Sequence, residues 1–298
     1  MIDPAFKSRL EDRALWVRRT VLEMAVAAKS GHITTAFSQT EMIVALYYGG
    51  ILRVDPKQPR WVGRDRFILS KGQGGIGIYP VLCDLGFFDG VHLRNFCGIG
   101  SILGVHSEWN VPGIEVVTGS LGHGLPIATG MAVALRDRGS DSMVVCMTGD
   151  AELYEGSNWE ALIFAAHADL DNLVVIVDRN GQGTIGKTDE IEFKSDGPRL
   201  DPLDEKFRAF GFDIEECDGH DFGEILETLG TARGRIGSAG DPLCVISHTK
   251  KGKGATIMED VRLFHYRVPA GDDLARTRAD LGITAPGVIV GKGDNGGY

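Results

Sequence analysis

The sequence predicts an α/β protein, an open and mostly parallel sheet with helices on both faces. Two continuous apolar runs, Ser142–Met147 and Asn172–Val177, flank a helical segment, Asn158–His167. Runs without alternation belong to strands buried on both faces, so this unit reads as a βαβ crossover in a parallel sheet. Strand and helix signals go on alternating from about residue 65 to 250, with no internal repeat and no linker. Many of the 41 glycines close apolar runs, as where loops approach a ligand closely.

The elements follow in order. Leu15–Ala28 places apolar residues at helical spacing and Gly31 stops that helix. Gln39–Tyr48 reads as a second helix, and after a loop rich in Pro and Arg comes a short strand, Arg66–Leu69. The glycine-dense loop Ser70-Lys71-Gly72-Gln73-Gly74-Gly75 opens a helix running through Ile78–Leu85. Gly98–Gly122 reads as irregular, and Leu125–Arg136 as an apolar helix. Beyond the βαβ unit a helix ends at Phe207–Phe210, a short strand is expected at Asp213–Glu216, a helix at Ile225–Gly230 and a last strand at Leu243–Ser247. One domain over residues 1–270 is expected, with 271–298 a Gly- and Asp-rich peripheral tail.

Composition narrows the function. At 298 residues and 43% hydrophobic, the chain can bury a sizeable core. A formal charge of −10 leaves no surplus of Lys and Arg for a nucleic-acid backbone. The five cysteines are widely spaced without a CxxC, which fits buried thiols. Ala5–Arg19 is charged and amphipathic, unlike a signal peptide, and no apolar run reaches membrane-span length. A cytoplasmic protein that engages neither nucleic acid nor membrane is expected.

Gly149-Asp150 stands at the carboxyl end of the first buried strand, and Asn180-Gly181-Gln182 just past the end of the second. In open α/β sheets ligands bind at the carboxyl ends of strands, so both segments point into one crevice. Asp150 offers a hard carboxylate oxygen, Asn180 an amide oxygen and Gln182 a backbone carbonyl. Mg²⁺ takes such ligands together with phosphate oxygens and water, and a diphosphate also meets N–H groups at a helix N-terminus. Alone, Gly-Asp would be read as a helix cap and Asn-Gly as a tight turn. About thirty residues apart and flanking one βαβ unit, they point to a site.

Together with Ser30-Gly31-His32, Asp65-Arg66-Phe67-Ile68-Leu69-Ser70-Lys71-Gly72, Pro112-Gly113, Thr118-Gly119-Ser120-Leu121-Gly122-His123-Gly124-Leu125, Gly149-Asp150-Ala151-Glu152-Leu153-Tyr154-Glu155-Gly156 and Lys251-Gly252-Lys253-Gly254, these segments resemble, in order, the N-terminal half of transketolase as found in split enzymes. The likeness runs from about Trp16 to Pro269. It implies a thiamine-diphosphate-binding fold, with thiamine diphosphate and Mg²⁺ as cofactors. It implies transfer of a two-carbon unit from a ketose donor to an aldehyde acceptor. By the resemblance, Leu121 and Gly122 hold the cofactor through their backbone, alongside Gly149, Asp150 and Ala151, while Asp150, Asn180 and Gln182 hold the metal. His32 and His106 face substrate, His265 lies near the diphosphate, and Glu155 links the two active sites across a subunit interface.

The resemblance also implies a missing part. The glutamate that activates the cofactor belongs to a pyrimidine-binding domain following this region, and the chain up to Tyr298 has no room for it. A second transketolase-like subunit is expected to supply it, together with the grip on a substrate phosphate, in a heterotetramer.

Five positions depart from the family pattern: Ala151 follows Gly149-Asp150, Arg179 precedes Asn180, Gln73 replaces a histidine, and Ile33-Thr34 replaces Pro-Gly after His32. Glutamine exchanges hydrogen bonds but cannot titrate, so a proton shuttle at 73 is lost and the ordinary sugar phosphates come into question as substrates. Three alternatives stay open. The first is a decarboxylating, acyloin-forming enzyme using pyruvate or another α-keto acid. The second is a non-catalytic regulatory paralogue. The third is a nicotinamide-dependent dehydrogenase, which would want a GxGxxG that Gly72-Gln73-Gly74-Gly75-Ile76-Gly77 matches only loosely. His92, His167 and His248 match nothing, and His220, in Asp218-Gly219-His220-Asp221, reads equally as part of a turn.

Overall fold

The structure, a computed structural model, describes residues 2–184, 186–188, 200–238 and 240–287. Helix α1 spans Pro4–Ala28; Asp3 caps it by accepting the Phe6 N–H at 3.0 Å, and Pro4 opens it, where a missing N–H costs nothing. It ends at Lys29, in the left-handed region at φ 54°. Then come α2 (Ile33–Ser38), α3 (Thr40–Tyr48), β1 (Arg66–Leu69), α4 (Gly75–Leu85), α5 (Val91–Arg94) and α6 (Gly124–Asp137). The chain continues through β2 (Val144–Gly149), α7 (Gly156–His167), β3 (Leu173–Arg179), α8 (Leu203–Ala209), β4 (Asp213–Asp218), α9 (Phe222–Gly230), β5 (Leu243–His248) and α10 (Gly271–Asp280).

All five strands pair in parallel, in the order β1-β2-β3-β5-β4, so β3 is central. Alternate residues of each strand enter different cores. Phe67, Leu69, Val145, Met147, Val174, Ile176 and Val245 pack on the face covered by α1, α3, α4 and α9. Ile68, Val144, Cys146, Val175, Val177, Cys244 and Ile246 pack on the face covered by α6, α7 and α8. Burial on both faces is what the unalternating apolar runs encode. Four of the five free cysteines, Cys83, Cys146, Cys217 and Cys244, are buried. Among the described residues no helix is long and apolar enough to cross a membrane.

Two expectations change. The helix read as Gln39–Tyr48 is the second of two, since Gln39 closes α2 and caps α3 while its amide donates to the Gly74 carbonyl at 2.8 Å. Part of the expected tail is helical: α10 lies on α1, where Arg278 donates to both oxygens of buried Glu23 at 2.8 Å and Arg19 donates to the Leu281 carbonyl at 2.7 Å. Residues 288–298 of that tail lie outside the described residues. Arg278→Ala leaves the buried Glu23 carboxylate with the Gly287 N–H but without its guanidinium, and is expected to destabilise the chain by about 1–3 kcal/mol, with Glu23→Gln in the same chain recovering part of the loss. Denaturant unfolding of the two variants measures it.

Candidate active site

Loops from the carboxyl ends of β1, β2, β3 and β5 converge on Asp178, the last inward side chain of β3. Its carboxylate takes the Lys71 ammonium from the loop after β1 and the Thr249 hydroxyl from the loop after β5. It also accepts from Ser38 Oγ at the α2–α3 junction, at 2.7 Å, and from Asn180 Nδ2 at 3.2 Å. The Lys71 and Asp178 side chains are each 1% exposed. Burial alone would raise the Asp178 pKa, but Lys71 and the two hydroxyls hold it below the usual carboxylate range.

Beside this pair lie the residues singled out in the sequence. Asp150, at the end of β2, accepts the Gly181 N–H through Oδ2 at 2.6 Å and the Ala151 N–H through Oδ1 at 2.7 Å. Burial, reinforced by neighbouring Asp178, raises its pKa. Asn180 Oδ1 accepts the Gln182 N–H at 3.2 Å, and the Gln182 carbonyl accepts from Lys251 Nζ at 3.2 Å. Gly181 thus ties Asp150, at the end of β2, to the loop after β3 that carries Asn180 and Gln182. Among the described residues no three His, Cys, Asp or Glu side chains gather as a metal cluster. One carboxylate, one amide and one carbonyl form an all-oxygen set suited to a hard cation whose remaining ligands are phosphate and water.

A second buried carboxylate shapes the loops around this set. Glu152 takes Ser70 Oγ, the Gly122 N–H at 2.9 Å and the Gly149 N–H at 3.1 Å, joining the loops after β1 and β2 to the start of α6. Gly122 has φ 84°, and a Cβ there would lie 2.5 Å from Glu155 Cβ, so only glycine lets Leu121-Gly122 approach α7 this closely. The Ser157 hydroxyl donates to the Gly122 carbonyl at 2.7 Å. Glu155 itself is exposed at the cap of α7.

Three histidines face one another. The His32 ring lies 5.9 Å from that of His106, 5.4 Å from that of His265 and 4.6 Å from that of Tyr266. His265 Nδ1 meets Lys251 Nζ at 3.0 Å. Burial, and then the neighbouring cations, lower His32 to about 3 and His265 to about 4. Burial and Lys71 lower Lys251 to about 8. His32 and His265 are therefore neutral at pH 7, and both offer hydrogen bonds without charge. His32 Nδ1 is buried and has no hydrogen-bond partner among the described residues, as expected where a ligand hydroxyl completes the site. Gln73 sits half-buried in the turn Gly72–Gly74 after β1, and no hydrogen bond joins it to the histidines among the described residues.

Lys71, Asp178, Glu152, Lys251 and Tyr266 received no role from the sequence. Asp178 carried a signal, being a buried acid that follows the apolar run Leu173–Val177 in β3, where it calls for a buried cation.

Fold and loops define an open parallel α/β protein with its polar site at the strand ends. The family described as "Transketolase, thiamine diphosphate binding domain" matches residues 12–291. The chain belongs to this family, whose members are thiamine-diphosphate-dependent transferases. It is 38% identical over 274 residues to an apulose-4-phosphate transketolase subunit of Actinobacillus succinogenes, covering 91% of this chain and 95% of that one. It is 35% identical over 251 residues to a 6-deoxy-6-sulfo-D-fructose transketolase subunit of a Clostridium species, covering 84% and 88%. The crystal structure of Campylobacter jejuni transketolase superimposes with a TM-score of 0.84 at 27% identity, over 97% of this chain and 45% of that one. The chain therefore spans less than half of the Campylobacter enzyme, and nearly the full length of the Actinobacillus relative.

The pH dependence of stability tests the neutral, buried state of His32. The folded value of His32, about 3, lies below its ordinary 6.5, so on acidification the unfolded chain takes up the proton first. Stability from this group is full above 6.5 and is lost as pH falls toward 3. His32→Gln is expected to flatten the acid limb of unfolding free energy against pH across that window, measured by urea titration at successive pH values.

Proposed function

We propose that this chain is the diphosphate- and Mg²⁺-binding subunit of a two-chain transketolase-type enzyme, completed by a partner carrying the pyrimidine-binding domain. The observation that supports the reading is the hydrogen-bonded run from Asp150 through Gly181, Asn180 and Gln182 to Lys251 and His265, next to His32 with its unpartnered buried nitrogen. The Actinobacillus and Clostridium relatives are both named as subunits, which supports a partner, and their phosphorylated and sulfonated sugars support a ketose donor with an anionic end.

The donor set fits the metal. Asp150 is a carboxylate whose pKa is raised by burial and Asp178, and a divalent cation offsets both. Lys251, held near 8 by burial and Lys71, gains from a diphosphate in the same way. Thiamine diphosphate, when bound, supplies the carbon nucleophile that cleaves the bond beside a ketone. Asp150, Asn180 and Gln182 hold the metal that anchors it, and the backbone at Leu121, Gly122, Gly149 and Ala151 lines its place. His32, His106 and His265 receive the donor's hydroxyls. His32 and His265, being neutral, can each donate a hydrogen bond through one ring nitrogen and accept one through the other, and so orient a polyol. Glu155, exposed beside Gly122, is placed to communicate with a second subunit.

Asp150→Asn keeps the size of the side chain and removes its charge. It is expected to weaken Mg²⁺-dependent thiamine-diphosphate binding by about two orders of magnitude or more while the chain stays folded. Calorimetric titration measures this, and unchanged affinity would contradict the assignment. Mixed with its partner, the chain is expected to transfer a two-carbon unit from ketose donors, and alone to transfer none. Turnover by the isolated chain, or turnover of α-keto acids only, would overturn the reading.

A further inference from the structure

Arg179 stands where the family pattern carries a neutral residue before the metal-binding asparagine, and the structure gives it two carboxylates. Nη1 donates to Asp150 Oδ2 at 3.1 Å and also to Thr188 Oγ1, and Nη2 donates to Asp201 Oδ2. The three side chains run from inside to outside: Asp150 is 1% exposed, Arg179 15% and Asp201 47%. Asp150 Oδ2 already accepts the Gly181 N–H, so the arginine fills its second acceptor position. A guanidinium keeps its charge at any physiological pH and cannot yield by losing a proton. A metal arriving at Asp150 therefore meets a permanent cation on the same carboxylate, and the repulsion is eased only as far as Asp201 draws the arginine outward.

We propose that Arg179 competes with the metal for Asp150 and that Asp201 sets the strength of that competition, so that this pair tunes how much Mg²⁺ the protein needs. The inference rests on the reading of Asp150 as a metal ligand. Its consequence is a difference in sign. Removing the arginine's charge tightens metal binding. Removing the charge of Asp201 leaves the guanidinium wholly to Asp150 and weakens metal binding. A purely structural role for the pair would move both variants in the same direction, since each breaks the same bridge.

The test uses the full chain at saturating thiamine diphosphate, with Mn²⁺ counted by electron paramagnetic resonance and Mg²⁺ read by competition against it. Arg179→Gln keeps a hydrogen-bond donor without charge and is expected to lower the metal Kd about tenfold. Asp201→Asn is expected to raise it several-fold. That rise should shrink in high salt, because Asp201 faces solvent. Melting curves check that both variants fold. If Arg179→Gln does not fold, the surface variant Asp201→Asn carries the test alone, and a metal affinity equal to or tighter than wild type then overturns the proposal. Shifts of the same sign in both variants, or no shift in either while Asp150→Asn abolishes binding, overturn the competition and leave the metal site standing. Metal binding untouched by Asp150→Asn, or undetectable in the wild type, overturns the metal site itself and the competition with it.

Discussion

The site depends on one buried ion pair, Lys71 with Asp178. Both side chains are out of reach of water, so neither charge can be left without the other. Asp178 ends the central strand, and its partners come from the loop after β1, the α2–α3 junction and the loop after β5. Those segments carry the rest of the site: Gln73 lies two residues beyond Lys71, Lys251 two beyond Thr249, and His32 at the start of α2. Breaking the pair would loosen the hold of β3 on these three segments.

Around that pair the charges are arranged for a guest. Asp150 is raised by burial and by Asp178, Lys251 is lowered by burial and by Lys71, and His32 and His265 are lowered by burial and by neighbours that include Lys251. Groups held away from their ordinary protonation mark sites built for charged ligands. Under the proposed function a divalent cation would ease Asp150 and a diphosphate would ease Lys251. Glu152 supplies the stiffness, since one carboxylate holds Ser70, Gly122 and Gly149 and so fixes the backbone on which such a ligand would rest.

The sheet was legible because strands buried on both faces are written as unbroken apolar runs, and β1 falls on Arg66–Leu69 as read. Asp150, Asn180 and Gln182 were named as a metal set because strand-end position and oxygen chemistry both pointed there, and among the described residues the structure joins them only through Gly181 and the Gln182 N–H. The division between α2 and α3 was not, since it depends on Gln39 reaching Gly74 across 35 residues of chain. The α10 helix was hidden by its polar composition, and it is held by Glu23, 255 residues away in sequence. The pairing of Lys71 with Asp178 spans 107 residues, a distance at which local pattern carries no information. What stayed hidden was long-range polar pairing, and this same pairing positions the site.

The central claim, that Lys71 and Asp178 act as one unit organising the strand-end loops, is tested most directly by a double-mutant cycle. Lys71→Met, Asp178→Asn and the combined variant are compared for unfolding free energy, with Mg²⁺-dependent thiamine-diphosphate affinity measured in parallel. Each single substitution leaves a buried group unpaired and is expected to cost about 3–5 kcal/mol. The combined variant is expected to be no less stable than the worse single one, giving a coupling energy of more than about 2 kcal/mol. Losses that simply add, or single variants that bind the cofactor as wild type does, would contradict the account.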